Sequence, residues 1–400
     1  MLINLRNALM AGKRLPYDAE VEYLESTGTQ YIDTGFKANT TTTRLEASIE
    51  FTNPTSTQGV FGSRNRDTGN AESCNAFILA SNIFRPDWAA GGGSSSYNIT
   101  ISPNTIYEIS ITRSRLTING VEYIYGNSVS YDQIYNFLLF NFSNAGSVFS
   151  SGLKGRLRYA KIYSNGVLVR DFIPVRKGTV GYLYDRVSGK LFGNAGTGDF
   201  VLGPDVVPVE YIESHGTEWI DTGVLYSDPC TIRVTAELTP TNEERDLFGA
   251  YGRASVQGNM VCGVYNRFVF LFIESLTRID SSVMGSNPVM LTVECDFADN
   301  QRTLIVNGQS YSQNAVSYNG ENITIFRGNV KASYIGIFKC YHFSIMRANT
   351  LASSFRPVRV GSGSSWEGAM MDVLTRRIYR NAGTGAFTYG NDLKYPIPSE

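Results

Sequence analysis

The chain repeats itself, and that repeat limits its fold more than any other feature. The stretch VEYLESTGTQYIDTG, Val21 to Gly35, returns as VEYIESHGTEWIDTG, Val209 to Gly223, with 11 of 15 positions identical. Val21 and Val209 are 188 residues apart, and later matches keep nearly that offset. Phe61-Gly62 recurs as Phe248-Gly249, LTINGVEY (Leu116 to Tyr123) as LIVNGQSY (Leu304 to Tyr311), and FIPVRKG from Phe172 as FRPVRVG from Phe355. Each block closes on a related stretch, DRVSGKLFGNAGTGDFVLG (Asp185 to Gly203) or DVLTRRIYRNAGTGAFTYG (Asp372 to Gly390). Two homologous domains are therefore expected, 21–205 and 206–393, with an N-terminal arm at 1–20 and a tail at 394–400. The joint GPDVVP carries two prolines, which predicts stiff, extended backbone there.

Within each copy the hydrophobic period is two. In RLEASIEFT, Leu45, Ala47, Ile49 and Phe51 alternate with Arg44, Glu46, Ser48 and Glu50, predicting a strand with one buried and one wet face. Asn119-Gly120 and Asn307-Gly308 separate alternating runs at matching positions, the signature of a type I′ hairpin turn. The 39 glycines, 24 tyrosines and 22 phenylalanines suit many short strands and tight turns. No stretch inside either domain reads as a long amphipathic helix. Each copy is expected to be an all-β sandwich, a jelly roll.

Charge narrows the partners. A charged fraction of 18% and a net charge of −1 give no electrostatic footprint for nucleic acid. Cys74, Cys230, Cys262, Cys295 and Cys340 are odd in number and lack CxxC spacing, so they read as buried small hydrophobes or free thiols. No apolar run has the roughly 18 residues of a membrane span. The opening MLINLRNALMAGKRLPYD is too short and mixed in its apolar stretch for a secretion signal, so folding in a cytoplasm is expected.

Together, EYLESTGTQYIDTG, the central NG hairpin, KIYSNGVLVRDFIPVRKG and LYDRVSGKLFGNAGTGDF resemble concanavalin A-like, laminin-G-like jelly-roll domains of gut bacteria and their phages. The resemblance covers nearly the whole chain beyond residue 20 and implies two tandem jelly rolls. The second copy departs in its last third, where Pro357 to Asp372 is four residues longer than Pro174 to Asp185. Such folds host lectins, glycanases, adhesion modules and virion decorations alike, so function has to come from the residues.

Catalysis finds little support. His215 and His342 are the two histidines, and neither has a histidine counterpart in the other copy. Glycanases of this fold resemble one another in carrying Glu-x-Asp-x-x-Glu or Glu-x-Asp-x-Glu on one strand, with working carboxylates roughly 5 Å apart, and neither pattern occurs. Glu25 and Asp33, with their copies Glu213 and Asp221, flank a turn instead; Asp33 and Asp221 are expected to hold it through backbone hydrogen bonds. GNAGTG (Gly193 to Gly198) lacks the Lys-Ser/Thr and helix of a phosphate loop and reads as a turn. No cofactor is expected. For calcium the best cluster is Asn65, Asp67 and Asn70, whose aspartate the second copy lacks.

Recognition would draw on loop aromatics with polar neighbours, because a ring stacks on a sugar face while polar groups fix its hydroxyls. FRPDWAAGGGSSSY offers Arg85, Asp87, Trp88 and Tyr97, and GSGSSWEG offers Trp366 in the lengthened loop. Folding of either tryptophan onto its own domain is the competing reading. Leu2, Ile3, Leu5, Leu9 and Met10 form an apolar face in the arm, suited to docking on another protein. The expected role is a non-catalytic structural or adhesive part of a bacteriophage virion, present in many copies and contacting other virion proteins or host-surface glycans. A carbohydrate-binding module on a bacterial cell surface is the alternative, and a glycoside hydrolase a distant third.

Overall fold

The computed structural model describes residues 15–65, 72–88, 97–125, 130–240, 242–250, 259–273, 278–282, 284–285, 287–298, 301–314, 317–328 and 335–394. The chain divides into two compact units, Met1–Asp205 and Val206–Glu400. Among the described residues no helix is long and apolar enough to cross a membrane.

In unit 1 one sheet places Val121–Ile124, Arg115–Ile118, Ile106–Ile111, Thr43–Phe51, Lys154–Ser164, Val167–Lys177 and Val180–Asp185 side by side, all antiparallel. The second places Ser147–Val148, Ser143–Asn144, Gln58–Arg64, Ser73–Leu79, Ile83–Trp88 and Ile99–Thr100 in that order. The chain leaves the first sheet after Phe51, returns at Ile106, crosses again by Leu138 and returns at Lys154. That alternation between two packed sheets, antiparallel but for the parallel pairing of Ser143–Asn144 with Gln58–Arg64, is the jelly-roll sandwich. Leu45, Ala47, Ile49 and Phe51 meet Phe61, Cys74, Ala76, Ile78 and Phe84 between the sheets, as a period of two requires.

Unit 2 repeats the plan. One sheet carries Cys230–Leu238, Val289–Ala298, Gln301–Val306, Lys339–Arg347, Thr350–Ser362 and Ser365–Asp372; the other carries Arg245–Ala250, Met260–Tyr265, Phe268–Ile273 and Asn322–Ile325. Both Asn-Gly turns have the positive φ pair of type I′, 48° and 81° at Asn119-Gly120 and 48° and 86° at Asn307-Gly308. The turn asparagines also brace the neighbouring strand: Asn119 Oδ1 accepts the Glu108 amide at 2.8 Å and Asn307 Oδ1 the Thr292 amide at 2.9 Å.

Two expectations change. Residues 15–20 are not a free arm: Tyr17 lies 5.0 Å from the Tyr184 ring, and Ala19–Val21 is a strand paired with Val167–Lys177. The joint is extended, as its prolines predict, with Asp205–Pro208 a strand and Val206 in an apolar cluster with Val358, Val360, Ala369 and Met371. Finally, the supposed wet face of Arg44 to Glu50 is partly buried, because cross-strand polar partners cover it. Ser48 and Tyr159 donate to Glu108 at 2.6 and 3.0 Å, and Arg158 donates to Glu50 at 2.7 Å. The docking residues Leu2, Ile3, Leu5, Leu9 and Met10 lie outside the described residues.

Candidate functional site

The carboxylates of the repeated opening motif are scaffold. Asp33 Oδ1 accepts the Gly35 amide at 2.8 Å and its Oδ2 accepts Asn136 Nδ2 at 3.1 Å; Asp221 does the same with Gly223 at 2.9 Å and Asn322 at 3.2 Å. Glu25 accepts Arg156 Nε at 2.7 Å, and the same guanidinium donates Nη1 to Glu50 at 2.8 Å. In unit 2 Lys339, which faces Glu213 across the same strand pair, donates to Glu237 at 2.8 Å. A cation between two strand glutamates is thus a repeated cross-strand brace.

In unit 2 a histidine and a serine meet. His342 Nε2 lies 3.1 Å from Ser354 Oγ, but that serine is fully buried, and Asp372 spends its oxygens on the Ser354 and Leu374 amides and the Thr375 hydroxyl. Asp185 does the same in unit 1, with the Asp171 and Val187 amides and Ser188. The GNAGTG segment is a turn: Asn194 Oδ1 accepts the Tyr31 and Gly196 amides, and Gly198 has a φ of 71°.

The outer face of the second sheet of unit 1 is different. Strands Gln58–Arg64, Ser73–Leu79 and Ile83–Trp88 turn Phe61, Cys74, Ala76, Ile78, Phe84 and Trp88 into the core, so the intervening residues point away from it. Asn75 and Asp87 are directly opposed in register on this outer face, with Gly62 beside Asn75 on the third strand. Asn75 is 0% and Asp87 1% exposed, yet both polar side-chain atoms of Asn75, Oδ1 of Asp87 and Nε of nearby Arg85 have no hydrogen-bond partner. An unpaired buried polar atom costs about 1–3 kcal/mol, so the face carries a cost to stability that packing does not explain.

Aromatic rings and guanidinium groups continue the face one row on. Arg85 lies over the Phe77 ring at 5.5 Å, Phe77 and Phe142 are 6.4 Å apart, and Arg64 lies over Phe142 at 5.2 Å while donating Nε to Asn144 at 2.6 Å. Two glycines on strand Gln58–Arg64 make the close approach feasible. A Cβ at Gly62, whose φ is 119°, would fall 2.1 Å from the Cys74 carbonyl oxygen, and one at Gly59 would fall 2.8 Å from the Phe142 ring. Burial pushes the Asp87 carboxyl up to about 6, against the opposing pull of Arg85 and Arg64.

The duplication supplies an internal control. In unit 2 Gly249 stands opposite Val261, and Val261 opposite Phe272, in the register that Gly62, Asn75 and Asp87 hold in unit 1. The same fold therefore accommodates apolar side chains where unit 1 has the amide and carboxylate.

Of the residues expected to bind a ligand, Arg85 and Asp87 are on this face, but on a strand and not in a loop. Trp88 is the strand's last residue and points the other way; it is 0% exposed, packs on Phe137 at 6.3 Å and donates Nε1 to the Thr40 carbonyl at 3.2 Å. Its ring is unavailable to an external ligand. Tyr97 packs edge-on to Tyr123 at 5.4 Å and donates to the Ile124 carbonyl at 2.6 Å. Trp366 belongs to a longer hairpin: its strands have 13 and 8 residues against 11 and 6 in unit 1, and Arg359 lies 3.8 Å over its ring. Arg359 is itself held by Asp392 through two 2.7 Å bonds, so Trp366 is packed within its own unit. Asn75 was missed, although the alternation of Cys74, Ala76 and Ile78 places it on the outer face.

Of the calcium cluster, Asn65 alone falls within the described residues. Asn65 donates to the Asp132 carbonyl at 2.9 Å and accepts the Ile134 amide at 2.9 Å, while Asp67 and Asn70 lie outside them. Among the described residues no group of three or more His, Cys, Asp or Glu could hold a metal ion.

The fold and this face together define a β-sandwich with a buried, unpaired amide and carboxylate in one of two repeated units. No family model matches the chain, and no curated protein does. Among solved structures it is similar to domains LG4-5 of the mouse laminin α1 chain, at 9% identity over 85% of this chain and 93% of that one, with a TM-score of 0.28. It is also similar to a Bacteroides ovatus protein named for carbohydrate binding, at 12% identity over 91% and 93% of the two chains, with a TM-score of 0.33. Likenesses this distant identify no family for the chain.

Proposed function

We propose that the chain is a non-catalytic binding protein that recognises carbohydrate through the outer face of the second sheet of unit 1. The opposed, buried Asn75 and Asp87 with unpaired oxygens and nitrogens carry this reading. Sugar hydroxyls both donate and accept, as an amide, a carboxylate and a guanidinium require, and Phe77 and Phe142 offer apolar surface to a sugar ring. Asn75 and Asp87 are closed to solvent, so a ligand reaches them as side chains around them give way; Arg64 and Arg85, half-buried on the same face, are long enough to move. The test is a glycan array probed with the full chain and with Asn75→Val, the residue unit 2 already uses. Binding by the first and not the second supports the reading, and binding by neither removes it.

The finer assignment, to a bacteriophage virion, rests on the resemblance of the sequence to domains of gut phages and on the apolar residues of its first segment. Mass spectrometry of purified particles tests it directly. Finding the chain only at a bacterial surface would favour the cell-surface module instead.

A further inference from the structure

Resting on that reading, we propose that ligand and proton compete for Asp87, so that the site takes a neutral polyhydroxylated sugar, one per chain, and releases it on acidification. The unpaired groups set the ligand chemistry. Asp87 Oδ1 and Asn75 Oδ1 need donors, while Asn75 Nδ2 and Arg85 Nε need acceptors. A pair of adjacent sugar hydroxyls supplies both. A ligand carboxylate or sulfate supplies acceptors alone and would place a second anion against Asp87, where low dielectric makes like charges costly.

The proton follows from the same contacts. A protonated carboxyl keeps only part of its acceptor capacity and loses the charge-assisted bonds that a carboxylate takes from sugar hydroxyls, so protonation of Asp87 weakens the pairing and ligand binding favours release of its proton to solvent. Among the described residues the charged groups acting on Asp87 are Arg85 on its own strand and Arg64 on strand Gln58–Arg64. The intervening strand presents Ser73, Asn75 and Phe77 on this face, and Ser143–Asn144 presents Asn144; none of these titrates. Burial holds Asp87 near pH 6, so the competition falls in the mildly acidic range. The limit of one ligand per chain follows from unit 2, where Val261 and Phe272 occupy the equivalent positions.

The experiment probes the full chain and Asp87→Asn at pH 5, 6, 7 and 8 on arrayed galactose-, glucose-, mannose- and fucose-terminated glycans, beside sialylated and sulfated ones. Calorimetry with the strongest binder counts sites. Expected are signals on neutral glycans, affinity falling about tenfold between pH 7 and pH 5 as the ionised fraction of a group titrating near 6 falls, binding by Asp87→Asn that is independent of pH and no stronger than that of the native chain at pH 5, and one site per chain. Neutral-glycan binding that is flat with pH, binding confined to acidic glycans, tightening on acidification, or two sites per chain would overturn this inference and leave carbohydrate recognition standing. No binding to any glycan at any pH would remove both.

Discussion

Asn75 and Asp87 face each other across two antiparallel strands as a buried amide and a buried carboxylate, and Val261 and Phe272 hold that register in the second copy. The outer face of the first sheet of unit 1 makes an instructive contrast. There Glu108, Glu46, Glu50 and Glu25 are each bonded to a neighbouring hydroxyl or guanidinium. Polar groups there brace the sheet, whereas those of Asn75 and Asp87 are buried without a hydrogen-bond partner.

Asp87 gives stability a pH dependence of known sign. Its folded-state value, about 6, lies above the ordinary 3.8, so the native state binds the extra proton. The corresponding stability is present in full below about pH 4 and is lost as pH rises through 6. Asp87→Asn lacks that slope. Urea denaturation at pH 4 and pH 7 should show the variant gaining about 2 kcal/mol on the native chain between the two; a constant difference would mean that burial leaves the Asp87 carboxyl at its ordinary value.

Trp88 should behave as a core residue. Trp88→Ala is expected to cost about 3–5 kcal/mol by chemical denaturation, and Trp88→Phe about 1–3. Glycan binding by the folded Phe variant should persist, because its ring points away from Asn75 and Asp87. Selective loss of binding at unchanged stability would restore a recognition role.

Asp33 and Asp221 hold equivalent turns in separate units. Asp33→Ala and Asp221→Ala should each cost about 1 kcal/mol, and the double variant should add within about 0.5 kcal/mol. The measurement is the equilibrium unfolding of the three variants. A cost near zero would show that the turn holds without its Asx bonds.

Arg156 and Glu25 should differ in weight. Arg156→Ala leaves the buried Glu50 with the Arg158 guanidinium at 2.7 Å and is expected to cost about 2–4 kcal/mol. Glu25→Gln, at a partly exposed pair, should cost less than about 1 kcal/mol. Equal costs in thermal or urea unfolding would contradict the role given to burial.

The repeat, the alternation in RLEASIEFT and the Asn-Gly turns made both sandwiches legible before any coordinates, because period and turn chemistry are local. The strand Ile83–Trp88 was not legible. Pro86 and the glycine-serine run after Trp88 read as loop, yet Pro86 needs no donor there: the strand beyond it, Ile99–Thr100, pairs only with Ile83 and Phe84. Asn75 was missed because alternation in SCNAFIL marks it only as outward-facing, whereas its burial and its pairing with Asp87 come from another part of the chain. The assignment of Trp366 to an open loop failed for a related reason, because the four added residues lengthen a hairpin by two on each strand.

The most direct test of the proposed site is a crystal structure of the full chain soaked with a neutral glycan that binds it. The account predicts sugar hydroxyls within hydrogen-bond reach of Asn75 Nδ2 and Asp87 Oδ1, a ring against Phe77 or Phe142, and no sugar at Val261 and Phe272. A glycan bound elsewhere, at Trp366 or at the Glu25–Arg156–Glu50 brace, with Asn75 and Asp87 still unpaired, would contradict it.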